Sequence, residues 1–479
     1  MIDGLQPYPA YKETFVPWIG KVPAHWVVAA LRHRYEQCLG KMLDSARITG
    51  NHLIPYLRNV DVQWDRINTS NLPIMDVAPE EYARYTVQPG DLLVCEGGDV
   101  GRCAIWNGEL KTCGFQKALH RLRPLSKHDS CRFLYFWFLA GATAGALDDG
   151  NESTIAHLTG DKLRAHRFAS PPADEQHAIA RFLDHVGQRI RRYVRAKKKL
   201  IVLLSEQKQS VIDHAVTRGL DANARLKASG VEWLGDVPEH WVPSSSRRLF
   251  SVRTELARAT DVQLSATQAY GVIPQLEFEE RVGRKVVRVS MHLDKRRHVE
   301  RDDFVISMRS FQGGLERAWA AGAIRSSYVV LKPDPRVHVG YFACLFKSRG
   351  YIGALQATAD FIRDGQDLTF DNFCRVDLPL LPFDEQGAIA RFIAEATARV
   401  DASISRLIRE INLLGELKAR LVADVVTGKL DVREAASHLP RTPSTSQDDG
   451  LLAEDTAASE AANLDGDIEL GMRDEETLA

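Results

Sequence analysis

The chain has 479 residues, 44% hydrophobic and 26% charged, the composition of a soluble globular protein. One core rarely keeps growing past roughly 250–300 residues, so a single ordinary domain is excluded. The formal net charge of −1 is unevenly placed: residues 440–479 hold eleven Asp and Glu against Arg441 and Arg473, a local −9 that leaves +8 on the rest. Such a body suits a polyanion partner, as it also suits many proteins without one.

The start, "MIDGLQPYPAYKETF", has no basic segment followed by an apolar run, so a signal peptide is not expected. "WIGKVPAHW" follows from Trp18. "QPGDLLVCEGGDVGRCAIW" from Gln88 reads as a strand, a glycine turn and a second strand. The glycines are not a phosphate loop, since no Gly-Lys-[Ser/Thr] follows. Cys95, Cys103, Cys113 and His120 could be imagined around a metal, but zinc ligands usually pair two to four residues apart. No metal or other cofactor is expected, and seven scattered cysteines without a C-x-x-C point to reduced, cytoplasmic thiols. "FLYFWFLAGATAGAL" from Phe133 falls short of the roughly 20 residues that cross a bilayer. A buried helix is expected there, and no membrane partner.

"SPPA" at Ser170 resembles the [N/D/S]-P-P-[Y/F/W] motif of amino-methyltransferases but lacks the aromatic residue that would stack on an extruded base. Its prolines stand just before a helix, where they have a structural role. That helix opens with "DEQHAIARF" at Asp174 and continues without proline for about 44 residues, roughly 65 Å.

The same elements then recur in the same order. "WLGDVPEHW" from Trp233 matches the earlier phrase at six of nine positions, and "DEQGAIARF" from Asp384 matches at eight of nine. "ERDDFVISMRSFQGGLERAW" from Glu300 and "YFACLFKSRGYIGAL" from Tyr341 answer the strand–turn and the apolar run. "VTRGLD" from Val216 and "VTGKLD" from Val426 close the two helices, again 210 residues apart.

Both helices carry a seam. Ile393, Val400, Leu407, Leu414 and Leu421 recur every seven residues, with Ile404, Ile411 and Val425 interleaved. Leu183, Ile190, Leu204 and Val211 do the same in the first helix, with Val194 and Ile201 between and Lys197 breaking the pattern. Two apolar positions per heptad over five to six heptads predict a coiled coil, and because both helices lie in one chain the pairing is expected to be intramolecular. The expected fold is α+β: two globular domains and two long helices, related by an internal pseudo-two-fold repeat.

These residues resemble the specificity subunit of type I restriction–modification enzymes. The resemblance covers about residues 10–435 and rests on the duplicated "W-x-G-x-V-P-x-H-W", the G/D-D strand, "LTGDKL" or "LTFDNF", the proline before the DEQ phrase, and "VTxxLD". It implies target-recognition domains at 1–173 and 221–383 and spacer helices at 174–220 and 384–435, the two helices forming an antiparallel coiled coil. The segment 436–479 is expected to be an acidic disordered tail outside the family pattern. The resemblance further implies an asymmetric bipartite site on double-stranded DNA, two methyltransferase subunits and motor–nuclease subunits as partners, and no catalysis by this chain. The alternative reading is the recognition remnant of a fused methyltransferase–nuclease. Polar residues in turns are the candidates for DNA contact: Arg58, Asn59, Arg102, Gln116 and Lys117 in the first domain, Arg309, Gln312 and Arg325 in the second. Arginine suits guanine, and Asn or Gln suits adenine. The run "RIRRYVRAKKK" from Arg189 reads as a solvated helix face.

Overall fold

A computed structural model describes residues 5–43, 50–147, 157–283, 285–286, 295–307, 310–358 and 368–440. Arg309 and the acidic segment after residue 440 lie outside the described residues. The chain divides into two compact units, Met1–Arg195 with Ile411–Ala479, and Ala196–Glu410.

The first unit is built on an antiparallel sheet ordered β3–β2–β4–β1, where β1 is Tyr35–Leu39, β2 Leu92–Cys95, β3 Cys103–Ile105 and β4 Leu119–Pro124. Leu92, Leu93, Val94 and Cys95 are all fully buried, which is why this strand reads as a continuous apolar run and does not alternate. Helix α1, Cys131–Thr143, packs against this sheet. It is apolar on nearly every face, as a fully buried helix must be. Ser130 caps it by accepting from the Phe133 amide (3.2 Å). A smaller sheet places Leu53–Leu57 between Gly114–Phe115 and Ile74–Asp76. The long helix α2, Ala173–Arg218, begins in this unit.

The second unit repeats the arrangement. Its sheet is ordered β5–β8–β6–β7, with β5 Phe250–Val252, β6 Phe304–Ile306, β7 Glu316–Arg317 and β8 Val329–Pro333. The apolar run expected to mirror α1 is here two helices, Val339–Leu345 and Arg349–Ala357. The break falls at Ser348, whose side chain accepts from the Tyr351 amide and starts a new helix. Helix α3, Phe383–Val426, begins in this unit and ends in the first.

Within each unit the early part of one long helix packs on the late part of the other, so the pairing is antiparallel. In the first unit Ile179, Phe182 and Leu183 share a core with Val422, Val425 and Val426. In the second, Ile212, Ala215 and Val216 share one with Ile389 and Ile393. Between these ends Ile190, Val194, Ile201, Leu204 and Val211 are buried or half-buried, as are Val400, Ile404, Leu407, Ile411, Leu414 and Leu421. That is the predicted seam, in a two-stranded geometry that leaves its middle partly wet. Lys197, the break in the pattern, extends its ammonium to Glu410 (2.5 Å), and Lys208 reaches Asp401 (2.6 Å).

The duplicated phrases meet each other. Gln176 is fully buried at the start of α2, donating to the Pro171 carbonyl (2.9 Å) and accepting from the Ser130 amide (2.9 Å). Gln386 does the same in the second unit, donating to the Leu381 carbonyl (2.9 Å) and accepting from the His338 amide (2.8 Å). Glu175 accepts from Trp26 Nε1 (2.9 Å) and pairs with His25 (2.8 Å); Glu385 accepts from Trp241 Nε1 (3.1 Å) and pairs with His240 (2.8 Å). The V-P-x-H-W and D-E-Q phrases are therefore two halves of one clamp that fixes the start of a long helix to its globular domain. Beneath it, Val27–Ala30 pairs with Arg167–Ser170, and Val242–Ser245 with Asp377–Leu380.

A second shared device lies at the sheet. Buried Asp91 receives a two-pronged bond from Arg123 (2.7 and 2.8 Å) and caps the turn by accepting from the Gln88 amide (2.7 Å). Asp303 accepts from the Glu300 amide (2.8 Å) in the same way, but its arginine is Arg253 (2.7 and 3.0 Å), which follows β5 and not the strand matching β4. The acid of the G/D-D phrase is thus a structural anchor, and its bidentate pairing keeps the charge from being buried alone.

Candidate nucleic-acid interface

In the first unit the five polar candidates come together at one end of the sheets. The strand Leu53–Leu57 runs directly into Arg58 and Asn59, and the Gln116 amide donates to the Leu57 carbonyl (3.1 Å). Arg102, at the end of the glycine turn, donates to the Asn59 side-chain oxygen (2.7 Å) and to its carbonyl (3.1 Å). Asn59 in turn donates to the Gly97 carbonyl (3.0 Å). The Lys117 amide bonds the Lys41 carbonyl (3.0 Å), which ties the last candidate to the end of β1.

Glycine makes this convergence possible at two points. A Cβ at Gly40 would overlap the Gln116 carbonyl, so only glycine lets the chain leaving β1 approach that loop. Gly101, with φ of +80°, packs the turn against Leu147 where any side chain would collide. Below the turn, His120 is fully buried, with Gln37 (3.0 Å) on Nδ1 and the Leu158 carbonyl (3.1 Å) on Nε2. Burial lowers its pKa despite the neighbouring Glu96, so a neutral ring holds the loop base. His157 and Lys162 adjoin the same turn, which composition of turns did not single out.

The candidates are not equally available. Arg58 is gripped by Asp61 in a two-pronged bond (2.8 and 2.9 Å), and Arg102 and Asn59 hold each other. These three build the surface as much as they present it. Gln116 is half-buried and Lys117 exposed, and no described residue bonds either side chain. In the second unit Gln312 is exposed on the short helix Ser310–Gly313, in the turn that follows β6. Gly314 there, φ +77°, lies against the Phe346 carbonyl, the counterpart of Gly101. Arg325 is half-buried past the strand Gly322–Ile324, and no bond joins it to Gln312. It neighbours buried Arg296, whose pKa is lowered by burial first and by this second positive charge.

Among the described residues no group of three or more His, Cys, Asp or Glu is arranged to hold a metal, and no helix is long and apolar enough to cross a membrane. Cys95 and Cys103 lie on adjacent strands, but His120 of the imagined set is committed to Gln37 and Leu158. Burial pushes the thiols of Cys113 and Cys131 up to about 12.

Residues 39–200 match the family model of the type I restriction modification DNA specificity domain. The resemblance read in the sequence is borne out over that stretch, which holds all five first-unit candidates, strands β2, β3 and β4 of the sheet and the start of α2. A likeness in fold extends further along the chain. A solved structure described for complex assembly and conformational transition of the type I R-M system aligns with 85% of this chain and 99% of its own, at 12% identity and a TM-score of 0.61. The HsdS subunit from Thermoanaerobacter tengcongensis aligns with 85% of this chain and 98% of its own (13% identity, TM-score 0.45). The type I S subunit from M. genitalium aligns with 84% and 96% (14% identity, TM-score 0.32).

Proposed function

We propose that this chain is the DNA sequence-specificity subunit of a type I restriction–modification complex, working in the cytoplasm. The observation that carries the reading is the specificity-domain match over the loop cluster at Arg58, Asn59, Arg102, Gln116 and Lys117. In this reading 1–173 and 221–383 are the target-recognition domains, 174–220 and 384–435 the spacer helices, and 436–479 an acidic tail whose residues 440–479 are dispensable for recognition, Ala436 and Leu439 being packed on the first unit's core. The partners are double-stranded DNA, two methyltransferase subunits that methylate adenine, and motor–nuclease subunits that restrict. The chain itself supplies no chemistry. Because the two recognition domains differ in sequence, the site is bipartite and asymmetric, with half-sites set apart by the helices.

The test is a map of methylated positions in cells carrying the complete system. Replacing residues 1–173 by the corresponding domain of a related subunit should change one half-site and leave the other half and the gap unchanged. Inserting four residues near Ala196, about 6 Å of helix, should alter the gap or prevent assembly and leave both half-sites intact. A domain swap that changes both half-sites defeats the modular reading. Methylation of DNA by the purified chain alone with a methyl donor defeats the non-catalytic assignment.

A further inference from the structure

The two clamps differ in what covers them. In the first unit the Glu175 carboxylate is 5% exposed because a third donor, the Tyr8 hydroxyl, closes over it at 2.5 Å. The Arg433 guanidinium lies over the Tyr8 ring, 5.1 Å from its centre, and is held there by Asp431. Asp431 also accepts from the Arg433 amide (3.0 Å). The second unit has that turn too: Asp221 accepts from the Asn223 amide (2.9 Å), which sets Asn223 in the place of Arg433. The strand registers also set Asn223 at the position of Tyr8, and among the described residues no hydroxyl donates to Glu385. Glu385 is 29% exposed with two donors in place of three, at the floor of a cleft of about 480 Å³ walled by Arg218, Asp221, Asn223, Arg225 and His240.

We propose that this cleft is a docking site for a tyrosine-bearing segment of a polypeptide partner, seated as Tyr8 is seated on Glu175. The first copy shows what this constellation of Glu, His and Trp takes: a phenol donating to the carboxylate, covered by a cation on the ring face. Tyr8 itself is already committed to Glu175, and the occupant proposed is a segment of a different protein. The inference is independent of which DNA the chain reads.

The probe is an acetylated peptide of residues 5–13, LQPYPAYKE, added to the full chain carrying ¹⁵N-tryptophan. Saturable movement of the Trp241 indole resonance, with that of Trp26 unmoved, is expected. Replacing tyrosine by phenylalanine at the position of Tyr8 should weaken binding about tenfold, the loss of one bond to a charged acceptor. Ala224→Trp, which fills the cleft, should abolish binding. If that variant unfolds the second unit, Asn223→Arg supplies the cation of the first copy and should tighten binding about threefold. No shift at Trp241, equal affinity of the phenylalanine peptide, or indifference to these variants overturns the proposal. So does self-association of the chain that Ala224→Trp abolishes, since the occupant would then be a second copy.

Discussion

The first unit closes its clamp with Tyr8, Trp26 and His25 around Glu175, and the second holds Glu385 with Trp241 and His240 alone. Gln176 and Gln386 make matching bonds, the two sheets share one strand order, and Gly101 and Gly314 pack the same turn against the domain behind it. What differs is the arginine that meets the anchoring aspartate, the length of the turn, and the lid on the clamp. The Gln, Glu, His and Trp that hold the start of each long helix are kept, and the parts around them vary.

The most drastic way to break the comparison is at the seam. Leu407 belongs to the second unit's stretch of α3 and Leu414 to the first unit's, and both are half-buried. Leu407→Asp with Leu414→Asp should lower stability by about 4 kcal/mol or more, because charges without partners would enter an apolar seam. Hydrogen exchange on each single variant should show loosening of its own unit first. Unchanged thermal unfolding of the double variant would contradict the pairing.

The clamps sharpen the comparison. Glu175→Ala would leave two buried donors, Tyr8 and Trp26, without their acceptor beside the exposed His25, and should cost about 3 kcal/mol, whereas Glu385→Ala would leave one buried donor, Trp241, beside the exposed His240 and should cost about half as much. Denaturant midpoints of the two variants measure the difference. Equal losses would mean that Tyr8 adds nothing to the first clamp.

Much of this architecture was legible before any coordinates. The helices and their seam follow from a period of seven that local residues set, and the repeat follows from identities at a constant offset. The meeting of V-P-x-H-W with D-E-Q was not legible, since Trp26 and Glu175 are far apart in sequence and no periodicity links them. Their joint duplication was the available signal. Turn composition brought five candidates to one surface, yet it could not tell a residue that presents a donor from one that uses it internally. Arg102 shows the failure, its guanidinium being committed to Asn59. Arg58 shows a readable warning, because Asp61 follows three residues later, at a spacing that invites a local pair.

A pH difference should separate the units more gently. His166 accepts from Trp137 Nε1 (3.1 Å) and lies beside Phe138, and burial pushes its pKa down to about 4 from the usual 6.5. The unfolded chain therefore binds more protons between pH 6.5 and 4. The histidine's contribution is complete above pH 6.5 and is lost as pH falls through that window, by about 3 kcal/mol at most. The second unit has Val376 at the matching position, offset by 210, and nothing there titrates. His166→Val should flatten the acid limb of stability measured by denaturant unfolding at several pH values. An unaltered slope would show that the ring is already wet.

The smallest effect tests presentation against construction on the candidate surface itself. Lys117 is exposed and its ammonium is bonded by no described residue, so it is available to a phosphate. Neutralising one phosphate releases about one counterion, so Lys117→Ala should lower the slope of log affinity against log salt by about 1. At moderate salt it should weaken binding about threefold, uniformly across DNA sequences. Arg58 is the contrast, because its guanidinium is held by Asp61 in two bonds. If those bonds persist on DNA, Arg58→Ala should leave the salt slope unchanged and loosen the turn, seen as faster exchange of the Asp61 amide. Fluorescence anisotropy with duplexes carrying the mapped site, at a series of salt concentrations, reads both variants. A slope change for Arg58→Ala comparable to that for Lys117→Ala would show that Arg58 leaves Asp61 to meet DNA, and that the surface rearranges when it binds.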